Sequence, residues 1–364
     1  MTRRTKNCWA GAAAVALLST TVTACGEDSW AAGDDPADFF DGQKIELVVP
    51  FSAGGGYDTT ARLLEPYLED ALPGKPNIVV TNLPGGGGLA GIQYAVKQDP
   101  GKALGMFALD KWYTPQLVGE TVEGFDYKDI DLMGTPNSAT EHLACARKDK
   151  FTSWEDIKDG DTLKFGGLSA PGGTERQVQF LEMGGFPVEV VRGYDGVEEI
   201  VASFARGETD ATVRCASSFG ITEYPEVIKD PGLVPLWYSD VSPTQEYLTE
   251  LGMDAAPEDI PELTELPGLD VSSDQVDAYR AAARFDDYAR SMFIHKDLPA
   301  EIAEVWHQAF EEAVTNEEFR AKLVQAGEVG EYKPTEDIEE AVSMVEDLSP
   351  EGREIFKQFI ELPE

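Results

Sequence analysis

Basic residues are scarce in this chain: 29 lysines and arginines stand against 67 aspartates and glutamates, a formal charge of −38. A surface of that sign repels phosphate backbones, which excludes nucleic-acid binding as the main activity. The acidity suits hydration in salty surroundings and says little about a ligand. It does repel any anionic ligand, so a site for one has to rely on local N–H donors or a buried cation. Histidine is rarer still, and His142, His295 and His307 form no H-E-x-x-H zinc pattern, so no metal is expected. No segment has the length of a membrane span, and no period marks a repeat array. The catalytic signatures are missing too. No Walker lysine follows a glycine turn, Gly54-Gly55-Gly56 lacks the G-x-G-x-x-G spacing, and Gly167-Leu168-Ser169-Ala170-Pro171 misses the second glycine of a nucleophile elbow. No cofactor is expected and the chain does not read as an enzyme. An exported α/β enzyme acting on a small anion stays as the alternative.

The N-terminus carries an address. Arg3, Arg4 and Lys6 precede the apolar run Ala10 to Leu18, which is too short to anchor the chain and reads as an export signal. The run ends at Val22-Thr23-Ala24-Cys25, which resembles a bacterial lipobox, so residues 1–24 are expected to be removed and Cys25 lipidated. Whether export is general or twin-arginine stays open. Residues 25–43 are poor in aliphatic side chains and rich in Asp, Gly and Ala, which predicts an acidic tether. With Cys8 in the signal and Cys25 lipidated, Cys145 and Cys215 remain. A disulfide and two buried free thiols are both open readings.

Two glycine-rich turns dominate what is present. Pro50 to Asp58 (PFSAGGGYD) and Asn82 to Gly91 (NLPGGGGLAG) each follow an apolar, strand-like run. A strand that ends in glycines and turns into a helix exposes several backbone N–H groups at the positive end of the helix dipole, which attracts carboxylate or phosphate without a basic side chain. Around the turns the chain alternates strand and helix: Ile45 to Pro50, Thr59 to Ala71, Asn77 to Thr81, Ala103 to Leu109, then from Leu143 to Trp237 a second such series. This predicts an α/β fold. Pro299 to Val314, Asn316 to Ala326, Thr335 to Glu346 and Pro350 to Ile360 read as terminal helices.

These residues resemble the solute-binding receptors of tripartite tricarboxylate transporters. The resemblance runs through Val48-Val49-Pro50-Phe51, the Gly54-Gly55-Gly56 turn with Asp58, Ala61-Arg62 and Asn82-Leu83-Pro84-Gly85 to Gly91. It continues through Phe151 to Ile157, Phe165-Gly166-Gly167 to Thr174, Arg192-Gly193-Tyr194-Asp195-Gly196, Gly207 to Asp210 and Asp297 to Ile302. It implies a two-lobed, type II-like periplasmic-binding-protein clamshell, each lobe a mixed sheet flanked by helices. The lobes are expected at residues 44–137 plus 240–364 and at residues 138–239. The implied function is capture of a small organic carboxylate and its delivery to a transporter with one large and one small integral membrane subunit, by a monomer held on the outer face of the cell membrane.

The candidate ligand contacts are Ser52, Gly54, Gly55, Gly56 and Asp58 in the first turn, and Pro84, Gly85, Gly86 and Gly87 in the second. Ser169, Gly173, Thr174 and Tyr194 are their counterparts in the other lobe. Each has a plainer role: Asp58 or Thr59 as an N-cap, the glycines as a surface loop, Ser169 and Thr174 as helix caps. Two features depart from the family pattern. Arg214 stands where the family often has an acid, facing either the cleft or a surface acid. Asp110-Lys111-Trp112-Tyr113 replaces a polar stretch, with Trp112 and Tyr113 expected to pack the lobe. The acidic segment 255–274 matches nothing assignable.

Overall fold

A computed structural model describes residues 35–361, except 139–141, 159, 161, 169–171, 195–196, 216–220, 222–223, 240–241, 327 and 329. The export signal, Cys25, residues 25–34 of the tether and Ser169 therefore lie outside the described residues.

Among the described residues, ten strands form two five-stranded mixed sheets. The first holds β1 (Lys44–Val49), β2 (Asn77–Asn82), β3 (Ala103–Phe107), β4 (Ile130–Gly134) and β10 (Ser291–His295), in the order β2-β1-β3-β10-β4. The second holds β5 (His142–Arg147), β6 (Leu163–Leu168), β7 (Val188–Tyr194), β8 (Ala211–Thr212) and β9 (Leu233–Ser239), in the order β7-β6-β8-β5-β9. The expected α/β architecture with a mixed sheet in each lobe is present.

The two sheets share one wiring. In the first, β1 pairs in parallel with β2 and β3, and β10 runs antiparallel between β3 and β4. In the second, β6 pairs in parallel with β7 and β8, and β5 runs antiparallel between β8 and β9. Helices Gly56–Ala71 and Leu89–Ala95 link β1 to β2 to β3, and helices Gly173–Met183 and Val197–Arg206 link β6 to β7 to β8. The loops at the carboxyl ends of the central strands are therefore equivalent pairs. That is the edge where open α/β sheets bind ligands.

One apolar cluster runs through both sheets, including Phe107 of β3, Phe165 of β6 and Trp237 of β9. Helix Ser273–Arg284 stitches it together: the Tyr279 ring stacks on Phe180 of helix Gly173–Met183 at 4.5 Å and meets Phe359 of the last helix at 5.8 Å. That helix starts cleanly because Ser272 and Gln275 form a capping box. A second cluster surrounds Cys145 and Cys215, which form a disulfide, so the pairing question resolves to a bridge.

Two boundary expectations need correction. Residues 35–43 are not tether, because Asp35 caps helix Pro36–Phe40, and Phe40 is fully buried with its ring 5.6 Å from Trp306. Burying such a ring stabilises by about 1.5–3 kcal/mol. The low aliphatic content hid an aromatic pair, Phe39 and Phe40. The segment from helix Gln245–Glu250 to Ile260 is not part of the first lobe's core. Its Tyr247, Leu248, Leu251, Met253 and Ile260 pack on the disulfide cluster of the second sheet. The acidic stretch after it straps β9, with Tyr238 N–H donating to the Pro261 carbonyl at 3.0 Å while Leu263 and Leu266 are buried.

Candidate ligand site

Two long helices begin at equivalent loops without a side-chain cap. Helix Gly56–Ala71, 16 residues long, follows β1 with Gly55 at its N-cap, and helix Gly173–Met183, 11 residues long, follows β6 with Gly172 at its N-cap. Neither N-cap glycine has a side chain to accept from the first-turn N–H groups. The first N–H groups of a helix have no partner within it, so both ends present donors and partial positive charge.

The first turn is held from within. Asp58, 4% exposed, accepts the Gly54 N–H at 2.9 Å and forms an ion pair with Arg62, also at 2.9 Å. Burial alone raises its pKa, but the bonds from Arg62 and Gly54 hold it below the usual carboxylate range. Asp58 thus locks the turn rather than capping the helix, and since Gly55 is the N-cap the plainer capping role falls to neither Asp58 nor Thr59. Ser52, Gly54 and Gly55 are exposed around this lock, and Gly56 is half-buried.

The second turn lies against the first. Asn82 Nδ2 donates to the Phe51 carbonyl at 3.0 Å, and Gly91 leaves no room for a side chain, since a Cβ there would sit 2.8 Å from Pro50 Cα. Gly85, Gly86, Gly87 and Gly88 all have positive φ, from +56° to +141°, which accounts for four successive glycines on conformational grounds alone. Pro84 and Gly85 to Gly87 are exposed, and Trp112 packs on this turn, its Nε1 donating to the Gly87 carbonyl at 3.1 Å. Tyr113 turns away into a separate groove beside Tyr127.

In the second lobe Gly173 lies against Asp286, Thr174 is 2% exposed, and Tyr194 is half-buried beside Gly166 of β6. Arg214 follows β8. Its guanidinium lies in the field of Asp286, Glu175, Arg176 and Asp110, so it belongs to an interior charge cluster. Burial lowers its pKa, and the acids oppose that.

The centre of that cluster was not foreseen. Arg176, 2% exposed in the first turn of helix Gly173–Met183, donates to Asp110 Oδ2 at 3.0 Å and to both oxygens of Asp286. Asp110 follows β3 and Asp286 precedes β10, so the second-lobe arginine is inserted between two first-lobe acids. Burial works against the Arg176 charge, but the two carboxylates more than offset it and its pKa rises. Burial pushes Asp110 up; Arg176 opposes this and Asp286 adds to it. Tyr57, in the first turn of the other helix, is raised by burial and by Asp110, and its hydroxyl donates to the Ala289 carbonyl. Both uncapped helix starts therefore flank the same acids. Asp110 stood in a stretch already noted as unusual, whereas nothing in the local sequence marked Arg176 out.

Among the described residues no group of three or more metal-ligating side chains converges, and no helix is long and apolar enough to cross a membrane.

No protein-family model and no curated relative matches the chain. Solved structures do. A TctC solute-binding protein from Polaromonas, determined with no ligand, is 19% identical, with 84% of this chain and 99% of that one aligned at a TM-score of 0.56. An R. palustris protein determined with adipate is 17% identical over 87% and 97%, at 0.55. The periplasmic binding protein BugD is 16% identical over 87% and 97%, at 0.54. The described residues thus have the two-lobed fold of the TctC and Bug solute-binding proteins, the family that the ordered glycine motifs resemble.

Proposed function

We propose that this chain is the extracytoplasmic receptor of a tripartite tricarboxylate-type transporter: it holds a small organic carboxylate between its lobes and delivers it to the large and small membrane subunits. Cys25 is its lipid anchor. The observation that carries the reading is the pair of long helices, at equivalent loops of two sheets, that start on glycine with no side-chain cap. A carboxylate at these starts would accept the spare N–H groups and meet favourable dipole ends. Ser52, Gly54 to Gly56, Gly85 to Gly87, Ser169, Gly173, Thr174 and Tyr194 are the proposed lining, and Arg214 adds a cation beside the acids. Local donors of this kind are what an anion needs to overcome the field of so acidic a protein.

Ligand that bridges the lobes favours the joined state, so binding and closure are linked. A thermal-shift screen against a panel of mono-, di- and tricarboxylates, repeated at high salt, tests the reading. One or more members should raise the melting temperature and be recovered unchanged. A panel that leaves the melting temperature unmoved, or a member that is consumed, contradicts it.

A further inference from the structure

Two carboxylates share one guanidinium in this site. Arg176 bridges Asp110 and Asp286, and none of the three side chains is more than 13% exposed, so the triad holds a surplus negative charge out of water. Glu175 and Arg214, whose charges reach the same place, are of opposite sign and cancel in count, and Lys111 offsets part of the surplus. Two polar atoms point to what is needed. Asp110 Oδ1 and Thr174 Oγ1 are buried and make no hydrogen bond among the described residues. Thr174 belongs to the uncapped first turn of helix Gly173–Met183, and Asp110 is tied to that same turn through Arg176. A buried acceptor with no donor is costly, and native structures rarely leave one.

A simple carboxylate gives the Thr174 hydroxyl an acceptor but offers Asp110 nothing, and it adds negative charge where there is already a surplus. Building on the receptor reading above, we propose that the ligand is an amino carboxylate, its carboxylate at the first turn of helix Gly173–Met183 with Thr174 and its ammonium on Asp110 Oδ1. The ammonium supplies Asp110 with the missing donors and offsets the ligand's own carboxylate, so the bound ligand adds no negative charge to the surplus. Charge-assisted bonds of this type are the stronger ones. Burial, with Asp286 beside it, holds the Asp110 carboxyl above its ordinary range against the pull of Arg176 and Lys111.

The test titrates wild type with the common amino acids, each beside its des-amino and its 2-hydroxy carboxylate, by calorimetry. An amino acid should bind, with both counterparts weaker by roughly ten- to a hundredfold. In Asp110→Asn, with circular dichroism confirming the fold, that gap should shrink to within about threefold, because the neutral amide no longer favours a cation. Equal or tighter binding of the des-amino or hydroxy acid overturns the inference and leaves the carboxylate receptor standing. A gap that persists in Asp110→Asn also overturns it. If no compound of any of the three series binds, the inference and the receptor reading fall together.

Discussion

The two sheets repeat one wiring but fasten their ligand loops in different ways. In the first lobe the turn after β1 is tied to itself through Asp58, Gly54 and the half-exposed Arg62. In the second the helix start after β6 is tied across the molecule, because Arg176 reaches Asp110 and Asp286 of the other lobe. The loops after the third strand differ in sign: Asp110 follows β3 and Arg214 follows β8, each with its charge in the same cluster. Common topology sets where functional residues stand, and side chains decide whether a loop is a self-contained turn or half of a joint.

That contrast predicts unequal costs. Arg176→Ala strands two buried carboxylates and should destabilise the fold by about 3–5 kcal/mol in denaturant unfolding. Removing the Cys145–Cys215 bridge, which joins residues 70 apart, should cost about 4 kcal/mol by loop entropy when the double alanine variant is compared with oxidised wild type. The first-lobe turn should be cheaper to disturb. Gly91→Ala drives a Cβ onto the Pro50 backbone and should cost about 1–3 kcal/mol. Asp58→Ala, which loses the Gly54 bond and the Arg62 pair, should cost about 1–2 kcal/mol. A first-lobe loss as large as that of Arg176→Ala would break the comparison.

The smallest effect concerns the outer face of the first lobe. His307 Nε2 lies 3.1 Å from Asp131 Oδ1, and that hydrogen bond raises the imidazole pKa, against a lesser effect of burial. A raised pKa means the folded state holds the proton more tightly. The stabilisation is complete below the ordinary histidine value of about 6.5 and is lost as pH rises through the higher folded value. Melting curves of wild type and His307→Gln should accordingly differ at about pH 5.5 and converge by about pH 9.

Much of the fold was legible because periodicity and glycine carry it. Helices Thr335–Glu346 and Pro350–Ile360 fall where their proline and polar starts place them, and β1 and β2 where their β-branched runs do. β4 and β10 were not foreseen. β10 is short and buried on both faces, so no alternation marks it, and its partners are about 160 residues away for β4 and about 185 for β3. The site was legible as backbone and not as charge. Four glycines in a row announce a turn that no other residue can form, and every one has positive φ. Nothing in the local sequence tells that Arg176 will meet Asp110 and Asp286, since such a triad exists only once two lobes are folded against each other.

The account stands most directly on the two uncapped helix starts, and amide hydrogen exchange reads them individually. With a saturating ligand from the carboxylate and amino acid panels, the N–H groups of residues 55–57 and 173–175 should both become more protected, one set in each lobe, relative to the ligand-free protein. Protection confined to one lobe, or none at either helix start while the ligand is bound, would contradict it.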